Sequence, residues 1–176
     1  MNYMQIDKAS IGNGKGFRVV LYCSGCSLKC EGCFNQETWD FNAGKHFGQD
    51  AMNYVLELLG KPYIQGITFS GGHPLESHNL AGIYNLIQII KKNFPQKDIW
   101  LYTGLTLSID DFDTSSQNQI LHNLKKHVIS MCDVIVDGPY IESQRDITLP
   151  FRGSKNQRII DVQKTLQQNE IVLFDI

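Results

Sequence analysis

The sequence has no apolar run approaching the ~20 residues of a membrane span. Its opening, MNYMQIDKAS, lacks the basic and then apolar regions of a signal peptide. Both absences predict a protein that stays where it is made, in the cytoplasm. Charge of one sign is scarce as well: the net charge is -2, and Lys and Arg never run longer than a pair. Such a distribution gathers neither nucleic acid nor an anionic membrane. With 176 residues, 42% of them hydrophobic, the chain suffices for one buried core and is too short for two ordinary domains. Residues 1–176 therefore read as a single domain.

Cysteine breaks this evenness. Four of the five, Cys23, Cys26, Cys30 and Cys33, fall within CSGCSLKCEGC, and Cys132 stands apart. An odd count with four residues bunched fits metal ligation in a reducing compartment better than a spread disulfide framework. Zinc ribbons set their two C-x-x-C knuckles roughly 15 to 20 residues apart, whereas only three residues separate Cys26 from Cys30. Bacterial ferredoxin runs have other spacings and usually a proline after the last cysteine, where this chain has Phe34. Cys23 alternates with Val19 and Leu21, so it shares their face of a strand and reads as a small buried hydrophobe, as does Cys132. Setting Cys23 aside leaves C-x3-C-x2-C at Cys26, Cys30 and Cys33. Three thiolates on a four-iron cluster leave one iron open to chemistry. The rival on these residues alone is a non-catalytic iron-sulfur or zinc protein that uses all four.

Apolar runs alternate with helical patterns along the chain. Strands are predicted at residues 18–23, 66–70, 98–103, 133–137 and 171–174, with helices at 49–59, 79–93, 115–131 and 162–168, the third capped by a serine. This order predicts an α/β fold with parallel strands, either an open doubly wound sheet or a barrel, and the units are too few for a complete eight-fold barrel. In both architectures the reactive site lies beyond the C-terminal ends of the strands. The cysteine loop, SGGHP at 70–74, TG at 103–104 and DG at 137–138 all fall at such ends.

The C-x3-C-x2-C-aromatic motif resembles that of radical S-adenosylmethionine enzymes. GCSLKCEGCFNQETW is more closely similar to the G-C-x3-C-x-G-C-aromatic-N-x2-T-W of the activating proteins of anaerobic, class III ribonucleotide reductase. NGKG at 13–16, SGGHPL at 70–75, KDIWLYTG at 97–104, DVIVDGPY at 133–140 and FRGSKNQRIIDV at 151–162 extend the resemblance over nearly the whole length. It implies an incomplete (β/α) barrel with the cluster loop after the first strand. It also implies one 4Fe-4S cluster on Cys26, Cys30 and Cys33, and S-adenosylmethionine as co-substrate. Reductive cleavage then gives methionine and a 5'-deoxyadenosyl radical, which takes a hydrogen from a glycine Cα of the reductase. The radical forms on the cofactor, so no side chain is expected to be catalytic. Reduced flavodoxin or ferredoxin is the implied electron donor. The activase of a different glycyl radical enzyme is the alternative within this chemistry.

The resemblance also assigns cofactor contacts. Gly71 and Gly72 let main-chain carbonyls approach the methionine ammonium, Phe34 lies against the adenine, and Gly32, Cys33 and Phe34 border its edge. Position 73 departs from the family pattern, because His73 stands where Asp or Glu is usual. A neutral imidazole can accept one hydrogen bond but brings no charge. Either His73 accepts from the ammonium or the backbone carries that contact alone. Thr103, Asp137 and Arg152 are further candidates, for cofactor or for the incoming peptide. His46, His78, His122 and His127 show no ligand spacing, and GNGKG at 12–16 precedes a strand and lacks the G-K-S/T of a phosphate loop.

Overall fold

The computed structural model describes residues 1–114 and 120–176. In chain order the elements are β1 (Asn2–Ser10), β2 (Phe17–Cys23), β3 (Lys45–His46), α1 (Gln49–Leu59), β4 (Ile64–Gly71), α2 (Ser77–Asn93) and β5 (Asp98–Tyr102). Then come α3 (Ile120–Met131), β6 (Val134–Asp137), β7 (Arg158–Asp161) and α4 (Val162–Gln168). The serine cap expected for α3 lies outside the described residues. No described helix is long and apolar enough to cross a membrane.

The fold is α/β around one seven-stranded sheet of order β3-β1-β2-β4-β5-β6-β7. The central run β2, β4, β5, β6 is parallel, and its order advances one strand at a time in one direction. Crossovers of one hand that always step the same way deliver their helices to the same face, which excludes the doubly wound alternative. Val55, Leu58 and Leu59 of α1, Ile83, Leu86 and Ile87 of α2 and Val128 of α3 pack there against Val19, Leu21, Ile67, Phe69, Ile99, Leu101 and Ile135.

Two expectations need correction. The sheet is mixed, because β1 pairs antiparallel with β2 and β7 antiparallel with β6. The cysteine loop thus follows the second strand of the chain, although the first of the parallel run. β1 escaped sequence reading because it is only half-buried, without clean alternation, and its register slips between Tyr3 and Gln5 and between Asp7 and Ser10. At the other edge, the run expected to form a strand at 171–174 makes only an isolated bridge, Leu173 to Ile160, while the four residues RIID form β7.

The opposite face of the sheet carries a smaller cluster of Trp100, Val134, Val136 and Ile159. Beside it lies Arg18, fully buried. Its Nε donates to Thr68 Oγ1 at 2.8 Å, its Nη2 to the Ile67 carbonyl at 2.9 Å, and its guanidinium lies 5.2 Å from the Trp100 ring centre. Nη2 also lies 2.6 Å from Asp98 Oδ1. These partners satisfy a cation that burial alone penalises heavily.

Candidate active site

In the β2–β4 register Cys23 stands opposite Gly71, so the cysteine loop and the SGGHP loop leave the sheet side by side. Their main chains are bonded to each other: Gly72 N–H donates to the Cys23 carbonyl and His73 N–H to the Gly25 carbonyl, both at 2.8 Å. Contact this close excludes side chains. A Cβ on Gly71, whose φ is +95°, falls 2.7 Å from the Cys23 main chain, and one on Gly72 falls 2.5 Å from the Gly25 carbonyl oxygen. The two glycines therefore dock one loop on the other as well as opening the space beyond.

That space is a cavity of about 230 Å³, lined by Cys26, Cys30, Cys33, Phe34, Gly71 and Gly72 together with Asn13, Ser70, Thr103, Gly138, Tyr140 and Gln157. Cys26 is 8% exposed, and burial raises its thiol pKa above the ordinary value. Cys30 and Cys33 are half-buried, and the Asn35 N–H lies 3.4 Å from Cys33 Sγ, directed at it as a donor. Soft thiols on the wall of an open cavity suit an iron-sulfur cluster. Among the described residues no three His, Cys, Asp or Glu side chains converge closely enough to hold a single metal ion.

Cys23 takes no part in this wall. Its side chain points into the helix-side core, fully buried, and burial pushes its thiol pKa up to about 12. Cys132 is likewise in the core, its thiol pKa also raised by burial.

His73 does not line the cavity either. The ring is 4% exposed, with Nε2 2.8 Å from Thr103 Oγ1 and Nδ1 3.5 Å from Glu76 Oε1. Burial holds its pKa below the usual value, against the opposite pull of Glu76, so the ring is neutral. Gly32 is also off the wall; its φ is +71°, and Glu142 and Tyr140 occupy the space a Cβ there would need. Phe34 is 65% exposed, edge-on to Tyr140 at 5.6 Å, with the Arg145 guanidinium over its ring.

Thr103 lines the cavity, whereas Asp137 and Arg152 do not. Asp137 is buried and receives Arg158 Nε at 3.0 Å and the Leu107 N–H at 2.9 Å. Arg152 donates from Nη1 to the Gln157 carbonyl at 3.0 Å. His46, His78, His122 and His127 are exposed. Sequence reasoning passed over Asn13, Tyr140 and Gln157. The last two lie in the segment between β6 and β7, which is set against the cavity by its paired ends, through Asp137 and Arg158, and by the Tyr102 hydroxyl, which donates to the Phe151 carbonyl at 2.6 Å.

A family model described as a 4Fe-4S single cluster domain matches residues 12–160. The chain is 42% identical over 159 residues to the anaerobic ribonucleoside-triphosphate reductase-activating protein of Enterobacteria phage T4, covering 90% of this chain and 93% of that one. It is 38% identical over 161 residues to the protein of the same name from Vibrio cholerae, at 90% and 97% coverage. The Escherichia coli protein of that name is 36% identical over 159 residues, at 89% and 96%.

Proposed function

Since the chain belongs to the family of anaerobic ribonucleoside-triphosphate reductase-activating proteins, we propose that it activates such a reductase by radical S-adenosylmethionine chemistry. The observation that carries this reading is the sorting of the cysteines. Cys26, Cys30 and Cys33 share one cavity wall with Gly71 and Gly72, while Cys23 lies in the core on the helix face. A three-thiolate site fits that division and a four-cysteine zinc or iron-sulfur site does not.

When bound, a 4Fe-4S cluster would supply the single electron for reductive cleavage of S-adenosylmethionine to methionine and a 5'-deoxyadenosyl radical, the species that would take a hydrogen atom from a glycine Cα of the reductase. Cys26, Cys30 and Cys33 hold the cluster as thiolates. The Gly71–Gly72 turn would offer main-chain carbonyls to the methionine ammonium, and the exposed Phe34 ring would meet the adenine, with the Gly32 and Phe34 main chain toward its edge. The His73 ring is committed to Thr103 and Glu76, its N–H to the Gly25 carbonyl and its own carbonyl to the Glu76 N–H and the Asn79 side chain, so the contact expected at position 73 falls to the Gly71–Gly72 main chain. Tyr140 and Gln157 line the same cavity. The parallel run with its helices on one face is the core of an incomplete (β/α) barrel, and reduced flavodoxin or ferredoxin in the cytoplasm is the electron donor.

The test is anaerobic reconstitution, reduction and addition of S-adenosylmethionine. The expected product is 5'-deoxyadenosine, and with a cognate reductase present, a glycyl radical in the electron paramagnetic resonance spectrum. A loaded cluster that yields no 5'-deoxyadenosine refutes the proposal. Product formation together with a glycyl radical only on another enzyme, such as pyruvate formate-lyase, moves it to the alternative partner.

A further inference from the structure

We infer that Glu76 is a positioning residue of the cysteine loop, which it fixes to the cavity wall through Ser27 and His73 while setting a carboxylate charge beside the Cys26 thiolate. The inference rests on the proposed cluster site and adds to it a residue that does not line the cavity. Glu76 is the N-cap residue of α2, yet its side chain accepts no bond from the helix. It turns to the cysteine loop instead, where Oε1 accepts the Ser27 N–H at 2.8 Å and the Ser27 hydroxyl at 2.5 Å. Ser27 directly follows Cys26.

His73 extends the link. A carboxylate only accepts, so the imidazole proton belongs on Nδ1, 3.5 Å from Glu76, and Nε2 accepts from the Thr103 hydroxyl at 2.8 Å. Thr103 Oγ1 in turn accepts the Leu105 N–H at 3.2 Å. One continuous series of bonds therefore joins the loop at Cys26 to Thr103 at the end of β5, which also lines the cavity. The resemblance implies an acidic residue at position 73; here the negative charge sits three residues later, at the start of α2, where the positive end of a 17-residue helix favours it.

Burial works against the charged form of Glu76, but the Ser27 bonds and His73 outweigh it and hold the carboxyl below its ordinary pKa. The Ser27 bonds hold that carboxylate one residue from Cys26. A fixed negative charge beside a cluster ligand opposes uptake of an electron, so it lowers the reduction potential.

The experiment compares wild type with Glu76→Gln, Glu76→Asp and Glu76→Ala after anaerobic reconstitution. Iron and sulfide are counted, the midpoint potential is read by redox titration, and cluster loss to a chelator is timed. Glu76→Gln keeps the acceptor and loses the charge. It should hold a full cluster whose reduction is favoured about tenfold, an upward shift of about 59 mV for a one-electron couple. Glu76→Asp should stay near the wild-type potential. Glu76→Ala should shift like Gln and lose its cluster several-fold faster, because the loop is released too. If the Gln variant does not fold, the Ala–Asp pair carries the same comparison. A Glu76→Gln potential equal to wild type overturns the inference, and wild-type formation of 5'-deoxyadenosine in that preparation leaves the proposed function standing. Wild type that assembles no cluster overturns both.

Discussion

Replacing Cys23 by alanine separates packing from ligation more sharply than any other single change in the cysteine loop. The side chain is fully buried on the helix face with Val19 and Leu21. Removing its sulfur forfeits about 1 kcal/mol of transfer free energy, by comparison with about 0.8 for a buried methylene. A sulfur-sized void of roughly 25 Å³ adds about 0.6 kcal/mol. The expected destabilisation is thus about 1.5 kcal/mol, or roughly 3–6 °C in the melting temperature of a chain of this size. Iron and sulfide content after reconstitution should equal wild type. Cys30→Ala and Cys33→Ala should do the reverse: both side chains are only half-buried, so the apoprotein loses at most about 0.5 kcal/mol, but the cluster fails to assemble. The assay is thermal unfolding of each apoprotein by circular dichroism beside iron and sulfide analysis. A Cys23→Ala protein that melts normally but carries no cluster would falsify the three-ligand assignment and restore the four-cysteine site.

Gly71→Ala should cost at least about 2 kcal/mol, because a side chain at φ +95° meets the Cys23 main chain 2.7 Å away; a melting curve matching wild type argues against the docked loops. Asp137→Ala removes a buried carboxylate from Arg158 and the Leu107 N–H. Because Arg158 is one-third exposed, the cost should be about 2 kcal/mol, below the range for a wholly buried pair; denaturant unfolding measures it, and a loss under about 0.5 kcal/mol contradicts the structural role. His73 gives a pH signature. Its folded pKa is depressed by burial, so the unfolded chain takes up the proton first as pH falls through about 6.5. The stability it contributes is fully present above that value and is lost as pH drops toward the lower folded pKa. Urea unfolding between about pH 8 and pH 5.5 should show this loss, and His73→Gln should reduce it; identical pH profiles for both proteins exclude His73 as its source.

The central strands and helices were legible because each repeats a period that burial enforces. Val19 to Leu21 are buried on both faces of the sheet, and Ala51, Val55, Leu58 and Leu59 form one helical stripe. The edges were not, since β1 is half-wet and β7 has four residues. At the site, alternation along β2 already turned Cys23 away from the other three cysteines. The place of His73 could not be read in that way. Its neighbours in space, Thr103 and Glu76, are 30 and 3 residues away, and which of them the ring meets depends on how β4, α2 and β5 are set together.

By itself, then, the sequence determined the local matters: which cysteines can lie on one side of a strand end, and the alternation that makes strands β2, β4, β5 and β6 parallel. These follow from chain geometry within a few residues, where stereochemistry and burial period leave little choice. Only the tertiary structure decided that Gly72 is needed for contact with Gly25, that Asp137 serves Arg158, and that Glu76 reaches Ser27 across 49 residues. Those bonds join elements that no local preference brings together, and they exist because packing the helices on one face of the sheet sets the loops of its strand ends against one another.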